Sequence, residues 1–172
     1  MITLVPIGEV EDTVLKSLAP PLAEILGQKM EVANTPLSPR GGRSRRQYLA
    51  SAILALVPVP ARGNRALGIT SADLYAPGLN FVFGLADIEG RRALISLHRL
   101  RPESCGSPPD DTVFLKRAVK EAVHELGHTY GLGHCRDPRC VMFFSNTLHD
   151  TDLKGPGFSA ACREKVERGM HG

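Results

Sequence analysis

The run HELGHTYGLGHC contains His124, His128 and His134, with Glu125 beside the first of them. His124 and His128 are four residues apart, so on a helix they leave the same face, one turn from each other. Two imidazoles placed this way can grip one cation from the same side. Gly131 lets the backbone leave the helix, since a residue without Cβ meets no penalty in left-handed or turn geometry. After that turn His134 can return as a third ligand. Imidazole nitrogen is a zinc donor, and three protein ligands leave one tetrahedral position open, as a catalytic ion requires. Glu125 lies next to a ligand without being one, so its carboxylate faces the open side as a general base.

The chemistry this arrangement points to is metal-assisted hydrolysis of a peptide bond. Zinc acidifies a water and polarises the scissile carbonyl, while Glu125 takes the water's proton and passes it to the leaving amine. A lone HExxH arises by chance, and the third histidine with Met142 downstream separates this run from such accidents. The rival reading is a zinc-binding regulatory or binding module that keeps the site without turnover, because a motif does not by itself make a productive cleft.

The elements that must position these residues follow from pattern. Ile2 to Pro6 reads as a strand. Glu9 to Leu26 has helical spacing, with Pro20 and Pro21 expected to break or restart it. Lys29 to Ala33 is a second strand, and Thr35 to Arg45 is a loop rich in Pro, Gly and Ser. Ser44 can cap a helix reaching about Val57, stopped by Pro58 and Pro60. Three strands follow, Ala66 to Thr70, Asn80 to Asp87 and Arg92 to His98, with Gly90 turning the chain between the last two. Arg101 to Pro109 is a loop, and Asp110 or Asp111 caps a long helix that carries His124 and His128 and ends near Gly131. The tail from Cys135 has little periodic apolar pattern beyond a short helix near Ser159 to Arg168.

This order predicts an α/β fold: a mixed, mostly parallel sheet with one antiparallel edge, a long active-site helix and an irregular C-terminal part. At 172 residues it reads as one domain, with an upper part of about 1–131 and a lower part of about 132–172. Hydrophobic content of 42% is ample for a core, and a formal charge of +3 is too small to imply a nucleic-acid partner. The basic cluster Arg40 to Arg46 is read as a solvated turn rather than a phosphate loop. No apolar run reaches the length of a membrane span, and the N-terminal residues lack a signal-peptide pattern. A cytoplasmic monomer with a peptide or protein substrate is expected, its four cysteines serving as metal ligands or free thiols.

The run also resembles a known family. HELGHTYGLGH fits the HExxHxxGxxH signature of metzincin zinc peptidases, and its continuation through Cys135, Cys140 and Met142 resembles the archaemetzincins. The likeness extends to ALGITSADLY, NFVFGLAD and KRAVKEAVHE, and so covers about Gln47 to Cys162. It implies a Met-turn at Met142 beneath the zinc histidines. It also implies that Asn80 to Asp87 is the antiparallel edge strand above the cleft, where a substrate peptide binds by strand addition.

The resemblance further implies a second, structural zinc held by Cys135, Cys140 and a CxxC pair. Here Ser159 and Cys162 stand at the pair's positions. A hydroxyl is a poor zinc ligand beside thiolates. Three outcomes stay open: Cys135, Cys140 and Cys162 hold zinc with a substitute ligand, the site is lost, or two thiols form a disulfide. The tail's need for a staple favours a metal, with His149 and Cys105 as stand-ins for the missing ligand. SCGSPPD around Cys105 also resembles the inhibitory propeptide motif of other metzincins. Cys105 lies before the active-site helix, about 20 Å from His124 along it, so an ordinary loop thiol is expected. Tyr130 is read as packing, and His98, His149 and His171 as bystanders to the catalytic ion.

Overall fold

The structure, a computed structural model, describes residues 1–34, 38, 43–44, 47–88 and 90–171. In chain order its elements begin β1 (Ile2–Ile7), α1 (Asp12–Leu26), β2 (Met30–Val32), β3 (Arg43–Ser44), β4 (Gln47–Leu49), α2 (Ala50–Leu54) and β5 (Arg65–Thr70). They continue β6 (Leu74–Tyr75), β7 (Gly84–Asp87), β8 (Arg92–Ser96), α3 (Asp111–Thr129), α4 (Leu148–Leu153) and α5 (Ala160–His171). Strands run in the order β2-β1-β5-β8-β7. The first four are parallel, with Ile2 facing both Met30 and Arg65 and with Ala66 facing Arg92. β7 closes the edge antiparallel to β8, Gly84 opposite Ile95. The chain is therefore α/β, with the expected mixed sheet.

Strand alternation sorts side chains to two faces. Ile2, Leu4, Leu67, Ile69, Ala93 and Ile95 meet α1 and α3 in one apolar cluster, while Val5, Ile7, Ala66 and Leu94 meet α2 in another. Covered on both sides, β5 is buried along its whole length, as suits a central parallel strand. α3 crosses the first face with Phe114, Ala118, Ala122 and Leu126 inward, and Asp110 caps it by accepting from Val113 N at 2.9 Å. Leu132, Val141, Met142 and Val166 join the same cluster, so the tail packs on the long helix rather than on itself.

Several expectations give way to tertiary structure. α1 runs unbroken through Pro20 and Pro21. The carbonyls they leave without donors belong to Lys16 and Ser17, both on the exposed side where water serves, while Leu15, Leu18 and Leu22 stay buried. The helix expected from Ser44 starts at Ala50, because Gln47–Leu49 pairs with β6 instead, a strand missed in the sequence. Asn80 to Phe83 is not strand: Val82 N donates to Leu74 O and the Gln47 side chain to Asn80 O, so the strand is Gly84–Asp87, with one further bond to β8 where Phe83 O accepts from Ser96 N. The loop after β8 holds two short 3₁₀ turns, His98–Leu100 and Pro102–Cys105. The tail is less irregular than expected. It contains α4, opened by a reciprocal Thr147–Asp150 capping box, and α5. Most of the basic cluster at 40–46 lies outside the described residues. Among the described residues, no helix is long and apolar enough to cross a membrane.

Asp110→Ala removes the cap of the helix that carries the site. It is expected to lower unfolding free energy by about 1 kcal/mol, read as a reduced midpoint in urea with unchanged m-value.

Candidate active site

The inward face of α3 presents Glu121, His124, Glu125 and His128 within two turns. After Thr129 the helix ends in a turn: Gly131 N donates to His128 O and Leu132 N to Gly127 O, with Gly131 at φ 81°. That left-handed geometry is the one a glycine adopts without cost. The turn brings the Leu132 carbonyl back to His128 Nδ1 at 2.7 Å. Further on, the Val141 carbonyl reaches His124 Nδ1 at 2.8 Å. A carbonyl only accepts, so each ring carries its hydrogen on Nδ1 and leaves Nε2 bare.

The two bare nitrogens lie 3.2 Å apart. His134 completes the trio, its ring centroid 5.4 Å from that of His124 and 5.1 Å from that of His128. One ligand atom from each of the three lies within 4.8 Å of the others. Lone pairs that close repel unless a positive charge sits between them. A proton is a poor candidate: burial, then the Lys154 charge, push His124 down to about 3, and burial lowers His128 and His134 as well. A metal ion fits. Two nitrogens at about 2.0–2.1 Å from a tetrahedral zinc are about 3.3 Å apart, and neutral imidazoles are zinc donors. The structure thus brings the sequence-predicted trio together, with Nε2 of His124 and His128 turned toward each other.

Met142 is fully buried directly beneath this helix. A side chain at Gly127, between the two helical histidines, would collide with its sulfur. Cys135 N donates to Met142 O at 2.9 Å, tying the turn to the chain just past His134.

Glu125 opens onto a cleft of about 220 Å³, lined by Phe81, Val82, Phe83, His124, Phe144 and Ser145 among others. Burial, reinforced by the Glu121 carboxylate, pushes Glu125 up to about 8, and Lys154 pulls the other way. A dication on the histidines would add to that pull. The carboxylate occupies space that a side chain on β7 would fill. A Cβ on Gly84 would stand 2.6 Å from Glu125 Cγ and 2.5 Å from the Leu94 carbonyl. β7 has no strand on its outer side among the described residues.

A second cluster forms where the cysteines were expected. One ligand atom from each of Cys135, Cys140 and Cys162 lies within 4.8 Å of the others, and none forms a disulfide. Ser159 takes part: its Oγ is 3.7 Å from Cys135 Sγ, and its N–H donates to Cys140 Sγ at 3.2 Å. Burial leads the forces that push the Cys162 thiol up to about 11. Neither Cys105 nor His149 belongs to the cluster. Cys105 is exposed and donates to Pro102 O, an ordinary loop thiol. Tyr130 packs under Arg65, whose guanidinium lies 3.5 Å from the ring centre.

Sequence reasoning missed three neighbours of the trio: Gly84, Glu121 and Lys154. Lys154 is fully buried, its Nζ 3.1 Å from Glu121 Oε1. A lysine in a tail with no apolar period carries no mark of burial. Glu121 could have been noticed, because it precedes Glu125 by one helical turn.

Known proteins are similar to this chain. Peptidase family M54 matches residues 60–168. An archaemetzincin of Pyrococcus furiosus is 44% identical over 97% of this chain and 92% of its own length. The crystal structure of a zinc-dependent peptidase from Methanocorpusculum labreanum superposes with a TM-score of 0.86 at 30% identity, covering 96% of this chain and 100% of that one. The archaemetzincin of Archaeoglobus fulgidus, crystallised with malonate, superposes with a TM-score of 0.83 at 37% identity, covering 96% and 99%.

Gly84→Ala is expected to force Glu125 or β7 aside. Overpacking of this kind costs about 1–3 kcal/mol, to be read by equilibrium denaturation. A crystal structure of the variant should show Glu125 displaced from its wild-type position.

Proposed function

Because the chain belongs to peptidase family M54, it is a zinc metallopeptidase acting on peptides or proteins, and we propose that His124, His128 and His134 hold the catalytic ion while Glu125 is the general base. The observation that carries this reading is the convergence of bare imidazole nitrogens beside a cleft-facing carboxylate.

Zinc, when bound, supplies an acidified water and Lewis-acid polarisation of the scissile carbonyl. The chain's own residues do the rest. The Val141 and Leu132 carbonyls hold the rings in orientation and tautomer. The outer edge of β7 offers main-chain groups to an extended substrate, which adds as a further strand and lies along the cleft. Phe81, Phe83 and Phe144 shield the reacting bond from bulk water. A Glu125 carboxylate oxygen takes the proton of the attacking water and returns it to the nitrogen of the leaving amine. Met142 supports the helix from below, as the Met-turn of this reading.

The proposal includes a second zinc on Cys135, Cys140 and Cys162, with the Ser159 hydroxyl beside it as the weak corner. It also includes a single domain, cleft between 1–131 and 132–172, working as a cytoplasmic monomer without nucleic-acid or membrane partners. The ordinary charge balance and the unbridged cysteines support that part.

Two measurements test the reading. Glu125→Gln should keep its zinc yet lose roughly 10²–10⁴-fold in peptide hydrolysis; equal rates for variant and wild type would remove the base from Glu125. Metal analysis should find two zinc ions per wild-type chain and one in each of His128→Ala and Cys140→Ser. If Cys140→Ser retains the wild-type content, the thiol cluster holds no metal.

A further inference from the structure

The Lys154 side chain is 0% exposed and that of Glu121 3%, so their ion pair is buried, with Glu121 bordering the cleft beside Glu125. Such a pair contributes little net stability relative to apolar side chains of the same size, because both charges lose their water. Its surroundings suggest a different role. Lys154 Nζ has three neighbours: Glu121 Oε1 at 3.1 Å, Phe143 O at 3.4 Å and His124 Nδ1 at 3.5 Å. Glu121 Oε1 also accepts from Thr151 Oγ1 at 3.0 Å. The lysine's backbone is held independently, since Arg117 clamps Asp152 with two bonds of 2.7 Å and Gly155 N donates to Arg139 O.

The contact with His124 is a conflict. An imidazole Nδ1 has one in-plane site, which either donates or accepts. Val141 O at 2.8 Å requires it to donate. An ammonium only donates, so Lys154 competes for the opposite state, in which Nδ1 accepts and the ring hydrogen moves through solvent to Nε2. A ring protonated on Nε2 has no lone pair for a metal. Glu121 decides the contest, because it is the anionic acceptor that engages the lysine 0.4 Å closer than the ring does (3.1 against 3.5 Å).

We propose that Glu121 is a positioning residue that holds the buried Lys154 ammonium off His124 Nδ1 and so keeps the His124 Nε2 lone pair available to the catalytic ion. Lys154, so restrained, gives a second of its three hydrogens to Phe143 O and ties the Met142 turn to Glu121 of α3. The inference rests on the reading of His124 as a ligand.

The test uses the metal-free and zinc-loaded full chain. Long-range ¹⁵N–¹H spectra of the metal-free protein report which nitrogen of His124 carries the hydrogen, and competition with a chromophoric chelator reports zinc affinity. Wild type should show the Nδ1–H form. Glu121→Gln should shift His124 toward Nε2–H and weaken catalytic zinc about 10–100-fold, the range for lost supporting contacts. Adding Lys154→Met to Glu121→Gln removes the competing donor and should restore both the Nδ1–H form and most of the affinity. If Glu121→Gln leaves the tautomer unchanged, or if the double variant is no better than the single, the proposal fails. Should Glu121→Gln not fold, Thr151→Val, which keeps both charges and loosens Glu121, should move tautomer and affinity the same way by less; no movement there is equally fatal. His124→Ala is the separate control: unchanged zinc affinity in that variant would overturn the ligand assignment itself.

Discussion

A histidine that is to bind a cation must be neutral, must carry its hydrogen on the far nitrogen, and must be held so that the near one points at its neighbours. Here that requirement falls on two backbone carbonyls. Leu132 O and Val141 O each fix one ring, and both lie beyond the end of α3. The chain after the helix must therefore return to it twice. The path that results is recorded in backbone bonds: Cys135 N to Met142 O, Val141 N to Gly157 O, and Gly155 N to Arg139 O. Without regular strands to hold them, residues 132–157 take their order from this return, and Met142 can close on α3 only because position 127 has no side chain.

The same requirement explains the use of an edge strand on the other side of the cleft. Glu125 needs space beside α3, and β7 grants it by presenting Gly84 where any other residue would occupy the carboxylate's volume. Among the described residues β7 has no partner on its outer side, which leaves main-chain groups open next to Glu125, a liability for aggregation in general and, in the proposed reading, a docking edge for an extended peptide.

How much of this was legible in the sequence depended on whether the signal was local. The placement of the three histidines and Glu125, the turn at Gly131 and a cap at Asp110 or Asp111 are set by spacing within one helix and its exit, so where these residues lie was readable. So was the mostly parallel character of the sheet, because β1, β5 and β8 are short apolar runs separated by helices or turns. What failed was decided by distant partners. Gln47–Leu49 has a plausible helical continuation and becomes strand only because Leu74–Tyr75 is alongside. Asn80–Val82 reads as strand by composition, yet Gln47 and Leu74 take the hydrogen bonds of Asn80 and Val82. Pro20 and Pro21 interrupt helical bonding without ending α1, because the side of the helix they weaken faces water. Gly84 and Lys154 are silent in sequence for the same reason: a glycine in a strand and a lysine in a tail acquire meaning only from what folds against them.

The two side-chain clusters are mechanically joined by the same return path. Cys135 follows His134 directly, and Cys140 precedes Val141, whose carbonyl orients His124. Any force that draws the three thiols together therefore acts within one residue of a proposed catalytic ligand and of a carbonyl that sets another ligand's tautomer. Ser159 bears on this coupling. With a hydroxyl at the fourth corner, a metal held there as proposed would be gripped less firmly than by four thiolates, which leaves a larger share of the tail's order to other contacts. The structure has such contacts in the Arg117–Asp152 pair, in Lys120 reaching the Thr151 and Asp152 carbonyls, and in the buried Lys154–Glu121 pair. All three join α4 and the residue after it to α3. A polar clamp of that kind, placed on the catalytic helix itself, keeps the lower wall of the cleft in place even where the thiol cluster is weak.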